Sequence, residues 1–560
     1  AAEVGATALA KMSSLFGFSN VVDLNGASKV QPSGFPDMAT VGTSHPISKL
    51  TLDPKNGLGI SNANLGCPEE NPLLIKDLVT RDSYVGSFTW TTTQTTDYLL
   101  FCGRVTPKVY TFDAYSAIPG TNIIHMTPMC MVSRLFRYWR GDIILTFKFV
   151  ATPYHKGRVI ISYDPTGGSS SNLANTTDTT AVVQTYIVDM STLGPDRTFE
   201  VRLPYSQAAP WIGVPPRMDA GKVWANFSSP AYVHDAELDN GNISVRVQTE
   251  LSSPSGAGTV PIMVFARGAD NLEFAGPGID PGQTLTCMEP QTDEVEGIAS
   301  TAPPKELYLL NMGEKVEDLR TIIQRRSKSL NIRVMLTDIS KYQSNLTVLG
   351  RTPIFPGHDR NGFHSVKSTD GTSNIKGNIV HWSALTWLWP HFVGNRGSVD
   401  YVVNGDLNPL VGHLSVTRGS GENSPALETY SELSGSASSS ALASWLLSFQ
   451  SGSGGLVVTN QNVLPTISAS FPMYHYNKFC SSEPGLGTST SIDTTTWPTH
   501  NYTGVHQDRK YDTLHITVLK NTGTTSVGRL ETYVSAGLDF SFVWFIGAQP
   551  VWETPALVPI

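Results

Sequence analysis

Two regions of this 560-residue chain follow the same plan, one opening at residue 140 and the other at residue 396. Arg140-Gly141-Asp142 opens an apolar run that ends at Phe149, and Arg396-Gly397-Ser398 opens one that ends at Val403. Every second residue of each run is apolar, which places those side chains on one face of a β-strand. The repeat therefore predicts two related β domains in tandem.

Two further landmarks recur in the same order. Leu203-Pro204-Tyr205 corresponds to Phe471-Pro472-Met473-Tyr474, and a closing strand pair that ends at Gly268-Ala269-Asp270 corresponds to one that ends at Gly537-Leu538-Asp539. A fold that is used twice in one chain, with long loops, favours an assembly role over catalysis.

The surface is expected to be polar but weakly charged, because charged residues make up only 15% of the chain and the formal net charge is -8. This balance argues against a dedicated nucleic-acid binder, which needs clustered Lys and Arg. The one tight basic cluster is Arg325, Arg326 and Lys328. It either faces RNA or stabilises the carboxyl end of a helix.

The cysteines show neither a CxxC pair nor metal-site spacing, and their number, five, is odd. We interpret them as free thiols in a reducing compartment. They are Cys67, Cys102, Cys130, Cys287 and Cys480. The sequence also shows no secretory leader and no apolar run long enough to cross a bilayer.

Composition and turn signals divide the chain into four parts. Residues 1–45 form an N-terminal segment and arm, with an amphipathic helix expected within residues 1–20. Residues 46–275 form the first β domain, 276–330 a linker and second arm, and 331–560 the second β domain.

A helix of three or four turns is expected in the second arm. Asn311-Met312-Gly313-Glu314 resembles a capping box, and the apolar residues that follow have helical spacing up to Ile323.

The fold class expected is all-β, with two tandem eight-stranded antiparallel jelly rolls, extended N-terminal arms and short helices. An immunoglobulin-like sandwich is the alternative, but it is usually nearer about 100 residues in length.

Three motifs suggest binding, and each has a structural explanation. Arg140-Gly141-Asp142 matches an integrin-binding tripeptide, but a strand follows it at once. Asp235, Glu237 and Asp239 resemble a calcium loop, yet the glycine comes one place late and Arg246 replaces the required glutamate. The third group, His358, Asp359 and His364, lacks a further metal ligand nearby and is interpreted as a solvated loop.

The catalytic motifs sought in the sequence, GxSxG, GxxxxGK and HExxH, do not occur. We therefore predict no enzyme, no cofactor and no metal.

Eight segments of the sequence carry a resemblance to a known family. They are Phe136 to Gly141, Phe147 to Val150, Tyr154 to Arg158, Tyr163 to Pro165, Asn311 to Glu314, Phe392 to Gly397, Phe471 to Tyr476 and Gly537 to Phe542. The segments around the first repeat resemble the core signature of picornavirus-like capsid proteins. Weaker copies occur in the second region, and the closing strand and the second arm resemble dicistrovirus capsid proteins.

This resemblance implies two adjacent major capsid proteins of a dicistrovirus-like or marine algal RNA virus. It implies partners as well: other copies of the chain, a third viral capsid protein, viral genomic RNA inside an icosahedral shell, an unidentified host receptor, and transient membrane contact through residues 1–20. The implied location is the virion, assembled in the host cytoplasm.

The resemblance also implies proteolytic processing. Gln291-Thr292 and Glu296-Gly297 are the candidate junctions in the linker. Relatives use an Asp-Asp-Phe motif for maturation cleavage, whereas here Leu538 precedes Asp539-Phe540.

Two other classes of function remain open at the level of sequence. A secreted two-domain β-sandwich that binds carbohydrate would have a signal peptide and exist as a monomer or dimer. A sandwich glycosidase would need two facing carboxylates about 5 to 10 Å apart, and no spacing selects such a pair.

Overall fold

The computed structural model describes residues that all lie within the unit Asp37–Ile560. They are residues 38, 47–61, 65–66, 71–114, 122–166, 184–215, 224–226, 235, 237–254, 256, 258–278, 308–336, 344–351, 353, 364–367, 374–377, 383–406, 411–419, 427–431, 454–460, 464–475, 477–482, 513–520 and 526–553.

The first jelly roll, defined here as the strands between residues 83 and 277, follows a two-residue strand, β1 (Ser48–Lys49). Its strands are β2 (Ser83–Thr91), β3 (Leu99–Arg104), β4 (Tyr110–Ala114), β5 (Asn122–Met126), β6 (Phe136–Arg140), β7 (Ile143–Phe149), β8 (Lys156–Asp164), β9 (Gln184–Asp189), β10 (Thr198–Leu203), β11 (Ile212–Gly213), β12 (Ala225–Asn226), β13 (Asn242–Ser252), β14 (Thr259–Gly268) and β15 (Glu273–Pro277).

Two main antiparallel sheets pack against each other in this jelly roll. Their strand orders are β10-β7-β14-β2 and β12-β3-β13-β8-β9, and a small third sheet has the order β11-β6-β15. In β14 alternate residues are buried, and Val260, Ile262 and Val264 are inaccessible to solvent, whereas every residue of β3 is buried. Phe101 of β3 joins the two sheets, because its ring contacts Phe88 of β2 and Phe147 of β7 at centroid distances of 5.6 and 5.9 Å.

The second jelly roll, defined as the strands between residues 327 and 545, is followed by a last strand, β30 (Val551–Glu553). Its strands are β16 (Ser327–Leu336), β17 (Ser344–Gly350), β18 (His364–Lys367), β19 (Asn374–Gly377), β20 (Phe392–Arg396), β21 (Val399–Asp406), β22 (Val411–Gly419), β23 (Leu427–Ser431), β24 (Leu456–Asn460), β25 (Thr466–Phe471), β26 (Cys480–Ser481), β27 (Thr513–Lys520), β28 (Ser526–Ala536) and β29 (Ser541–Phe545).

The second jelly roll repeats the topology of the first. Its sheets have the orders β25-β21-β28-β16, β23-β17-β27-β22-β24 and β26-β20-β29, and a hairpin pairs β18 with β19. In both jelly rolls the first two long strands enter opposite sheets and pair with the last two, so that eight strands form two four-stranded layers. The prediction of an all-β jelly-roll fold is confirmed, and the immunoglobulin-like alternative is wrong.

Short helices connect the strands. They are α1 (Ile75–Val79), α2 (Pro128–Ser133), α3 (Tyr308–Asn311), α4 (Leu319–Ile323), α5 (Ala384–Leu388) and a 3₁₀ turn, Trp389–His391. Side chains satisfy free backbone amides at three of their starts: Thr127 Oγ1 accepts from Cys130 N, Asp318 accepts from Arg320 N, and Ser383 forms a capping box with Thr386. None of the helices in the described part of the chain has the length and apolar character needed to span a membrane.

The prediction of one helix of three or four turns after residue 311 is wrong. The chain instead forms α3, then a turn in which Gly313 has a φ of 74°, and then α4, which begins only after Asp318. Asp318 accepts a hydrogen bond from Arg320 N and thereby caps α4. Asp318, just before α4, has extended backbone and forms an isolated β-bridge with Leu74.

The described cysteines fit the prediction of free thiols. Cys102, Cys130 and Cys480 are buried and unbridged.

Candidate functional site

The repeated Arg-Gly pair marks a close approach between two chain segments in each jelly roll. Gly141 has a φ of 117° and Gly397 a φ of 95°, a region that side chains disfavour. A Cβ atom at Gly141 would overlap the backbone carbonyl of Asn271, and one at Gly397 would overlap that of Asp539. The two glycines are therefore required by backbone packing, at the same place in each repeat.

The residue after each glycine is bonded to the same turn. Asp142 N donates to Asn271 Oδ1 at 3.2 Å, and Ser398 N donates to Asp539 Oδ1 at 2.9 Å. Asn271 and Asp539 thus occupy corresponding positions, each just before the strand that closes its jelly roll. The same local structure explains why the Arg-Gly signature recurs in the sequence.

The side chains of the Arg-Gly-Asp tripeptide are used inside the fold. Arg140 forms an ion pair with Glu273 at 2.6 Å and lies 4.7 Å from the centre of the Trp211 ring. Asp142 accepts from Arg202 at 2.7 Å and from Tyr205 N at 3.0 Å. The tripeptide forms the turn between β6 and β7, in agreement with its structural interpretation.

The residues opposite the arginine of the Arg-Gly pair differ between the two repeats. Arg140 lies opposite Glu273 in the β6–β15 pairing, whereas Arg396 lies opposite Ser541 in the β20–β29 pairing. The backbone hydrogen bonds of this turn therefore recur in both repeats, whereas the residue opposite the arginine is acidic only in the first.

The chain before the first jelly roll extends a sheet of the second. β1 pairs in parallel with β25, and Leu50 N donates to Ser470 O at 3.0 Å. Leu58 N then donates to Asp539 Oδ2 at 2.9 Å. Burial alone would raise the pKa of the Asp539 carboxyl, but hydrogen bonds from Ser398 and Leu58 hold it below its usual range.

The chain after the second jelly roll extends a sheet of the first. β30 pairs antiparallel with β5, with Val551 opposite Ile124 and Glu553 opposite Asn122, and completes the three-stranded order β30-β5-β4. The two jelly rolls therefore exchange strands in both directions.

The two arms also contact each other ahead of their jelly rolls. Ile75 N donates to Glu317 O and Leu319 N donates to Leu73 O, each at 3.0 Å. Beyond this contact, Arg320 in α4 donates to Phe540 O at 2.6 Å. This ladder places the start of α1 beside the start of α4.

An aromatic contact joins α2 to α5. Trp387 donates from its indole nitrogen to Met131 O at 3.1 Å, and both residues are fully or almost fully buried. The Arg134 guanidinium covers the Trp387 ring at 4.9 Å. We call all contacts between the two jelly rolls and their arms the junction, since they unite backbone pairing with buried aromatic packing.

The calcium-like sequence supports the fold through an ion pair. Asp239 lies 3.5 Å from Arg104, and both side chains are buried. Burial raises the pKa of Asp239 to about 6, and Arg104 opposes that rise. Asp235 N donates to Asp239 Oδ2, which closes the turn. Among the described residues no group of three His, Cys, Asp or Glu side chains is arranged to hold a metal.

The predicted basic cluster is placed where the second jelly roll begins. Lys328 forms an ion pair with Glu531 at 3.0 Å, and this hydrogen bond holds the pKa of Glu531 below its usual range. Burial raises the pKa of Asp400 to about 6, while the charge of Arg326 opposes the shift. Arg325 follows α4, and its backbone amide bonds to Ile322 O. The contacts described for these three residues are with different parts of the chain.

Other predicted site residues lie outside the described part of the chain. They are Gln291, Thr292, Glu296 and Gly297 of the candidate processing junctions, residues 1–20, and His358 and Asp359; His364 begins β18.

Sequence reasoning did not predict the partners of the exchanged strands. β1 has two residues and β30 has three, and strands this short carry no alternation that would indicate which sheet they join. The apolar character of Val551-Trp552 likewise identifies no partner.

Residues 83–216 match the family model of the picornavirus capsid protein. The chain is 28% identical over 269 residues to the structural polyprotein of Cricket paralysis virus, which covers 48% of this chain and 29% of that protein. It is 24% identical over 252 residues to the genome polyprotein of Deformed wing virus, which covers 44% of this chain and 8% of that protein. The chain thus spans less than a third of either relative.

Solved virus structures are also similar in part. A marine algae virus of the order Picornavirales matches with 25% identity and a TM-score of 0.39, over 46% of this chain and 95% of that chain. Black queen cell virus matches with 19% identity and a TM-score of 0.37, over 49% of this chain and all of that chain.

The family matched by residues 83–216 and the curated relatives agree with the resemblance found in the sequence. Residues 83–216 are similar to the picornavirus capsid protein, and the chain is similar over about half its length to the structural polyprotein of Cricket paralysis virus.

Proposed function

We propose that this chain supplies two tandem capsid domains, residues 46–275 and 331–560, to an icosahedral shell. An arm, residues 1–45, precedes the first domain, and residues 276–330 link the two. Other copies of the chain and a third viral capsid protein complete the shell around a positive-strand RNA genome. One observation carries this proposal: the topology of the region matched to the capsid family is repeated in the second half.

The junction supports an assembly role. A shell needs subunits that stay in one relative orientation while neighbouring surfaces form many weak contacts. Exchange of β1 and β30 fixes the two jelly rolls to each other through backbone pairing in both directions. The proposal assigns the chain a structural role, no catalytic one and no cofactor.

Three finer features belong to the same proposal. Arg325, Arg326 and Lys328 lie near the interior and contribute to RNA contact; cleavage occurs at Gln291-Thr292 or Glu296-Gly297; and residues 1–20 contact membranes during entry. Assembly takes place in the host cytoplasm, and the product is the virion. Lys328 is the weakest candidate for RNA contact, because Glu531 already neutralises it.

Coexpression of the full chain with the third capsid protein tests the proposal. Negative-stain electron microscopy would look for closed shells, and a denaturing gel of the same fraction would show whether the linker is cut. Shells with one band near 60.6 kDa indicate an uncut two-domain subunit, and shells with two smaller bands place a cleavage in the linker. A monodisperse monomer would contradict the capsid role and favour the carbohydrate-binding alternative.

A further inference from the structure

A buried histidine holds the segment that leads into the exchanged strand β30. His391, at the end of the 3₁₀ turn before β20, has no solvent-exposed surface. Its ring Nδ1 accepts a hydrogen bond from Gln549 N at 2.9 Å, and its carbonyl accepts one from Ile546 N at 3.0 Å. Both donors belong to residues 546–553, which we call the C-terminal segment.

The geometry fixes the protonation state of this ring. Because Nδ1 faces the N–H of Gln549, it must be unprotonated, and the single ring proton is then on Nε2. Nε2 is buried and has no hydrogen-bond partner among the described residues. A second proton would have to go on Nδ1, where it would meet the Gln549 donor, so protonation breaks this hydrogen bond.

The charges around the ring also disfavour the imidazolium. The Trp387 ring packs edge-on against His391 at 5.3 Å, and Arg134 covers that same indole. On the strand before the C-terminal segment, Arg81 lies over Phe545 at 5.1 Å. Burial, together with the nearby positive charge of Arg134, lowers the pKa of His391 to about 3.

We propose that His391 is an acid-sensitive anchor, so that protonation of its ring releases the C-terminal segment and with it β30 from β5 of the first jelly roll. The released ring reaches water and regains the pKa of a free imidazole, about 6.5. Acidification therefore favours the released state below that pH, by about 25-fold between pH 7 and pH 5. The inference does not depend on the capsid role, since it concerns contacts within one chain.

A histidine on the sheet that β30 joins offers a matched control. His125 Nε2 of β5 lies 3.1 Å from Asp113 Oδ2 of β4, and its side chain is 45% exposed. No hydrogen bond or ion pair between the His125 side chain and the C-terminal segment is recorded in the described part of the chain. His125→Gln should therefore leave the acid response of that segment intact.

Hydrogen exchange of the full-length protein at pH 7 and pH 5, read by mass spectrometry and corrected for the intrinsic pH dependence, tests the anchor. In the wild type, peptides covering residues 546–553 and 122–126 should lose protection by about 25-fold at pH 5, in line with the free imidazole pKa. The core strand β14 should keep its protection. His391→Asn, whose Oδ1 can accept from Gln549 N but cannot titrate, should abolish the change.

Three results would overturn the proposal. One is a wild-type C-terminal segment that loses no more protection than β14. The second is an unchanged acid response in His391→Asn, and the third is its loss in His125→Gln. If His391→Asn does not fold, the wild type and His125→Gln still test the proposal. Both must show the acid-induced loss of protection in the C-terminal segment, and its absence in either protein overturns the proposal.

Discussion

At the scale of single residues, the repeated glycines make a clear prediction. Gly397→Ala should lower stability by at least about 1 to 3 kcal/mol, because the position needs a positive φ and leaves no space for a Cβ. Thermal unfolding of the purified chain would show this as a lower apparent Tm. Gly194→Ala is the control, since nothing lies within 4 Å of its Cβ position. Equal effects of the two changes would contradict the steric explanation.

Asp239 gives a prediction about pH. The folded pKa, about 6, lies above the unfolded value, near 3.8, so the folded state binds more protons between these values. Stability from Asp239 is therefore fully present below pH 4 and is lost as pH rises to 6, by about 3 kcal/mol. The stability difference between wild type and Asp239→Asn, measured by urea unfolding at pH 4 and pH 6.5, should favour the wild type more at pH 4. A difference that is constant or has the opposite trend would show that Arg104 keeps the carboxyl ionised.

At the scale of elements, Asp539 holds the segment before the first jelly roll, residues 47–61, against the second jelly roll. Asp539→Ala removes the acceptor of Leu58 N and of Ser398, so we expect faster hydrogen exchange in residues 50–60 and at the start of β21. Asp270→Ala, at an exposed position in the corresponding first-repeat turn, should leave these segments unchanged. Unaltered exchange in the Asp539 variant would mean that β1 pairing alone fixes the arm.

The elements also show what sequence alone could predict. In long strands such as β7 and β14 every second residue is apolar and buried, and the repeated Arg-Gly turn predicted that β7 and β21 occupy corresponding places. The second-arm helix failed because helical spacing from Val316 to Ile323 competes with pairing to residues 73–75, which no local pattern reveals. The junction could not be predicted for the same reason, because Trp387 and Met131 lie 256 residues apart and no local pattern connects them.

At the scale of the whole molecule, we expect the contacts of the junction to hold the two jelly rolls together even without a covalent linker. β1, which precedes the first jelly roll, pairs with β25 of the second. β30, which follows the second jelly roll, pairs with β5 of the first. The α1–α4 ladder and the Trp387 contact add backbone and buried aromatic contacts between them. Such an interface resembles that of a permanent complex, whose partners do not need a covalent connection.

Cutting the linker should therefore leave the two halves together. A sequence-specific protease site that replaces residues 291–297 would allow cleavage of the folded chain, with the products analysed by size exclusion and a denaturing gel. We expect two bands on the gel and one co-eluting species, because the exchanged strands hold the halves. The same variant lacking residues 1–58 and 546–560 keeps the linker site but loses both crossings, and its halves should separate or exchange between molecules. Separation of the halves when both arms are intact would show that the linker, and not strand exchange, unites the two jelly rolls.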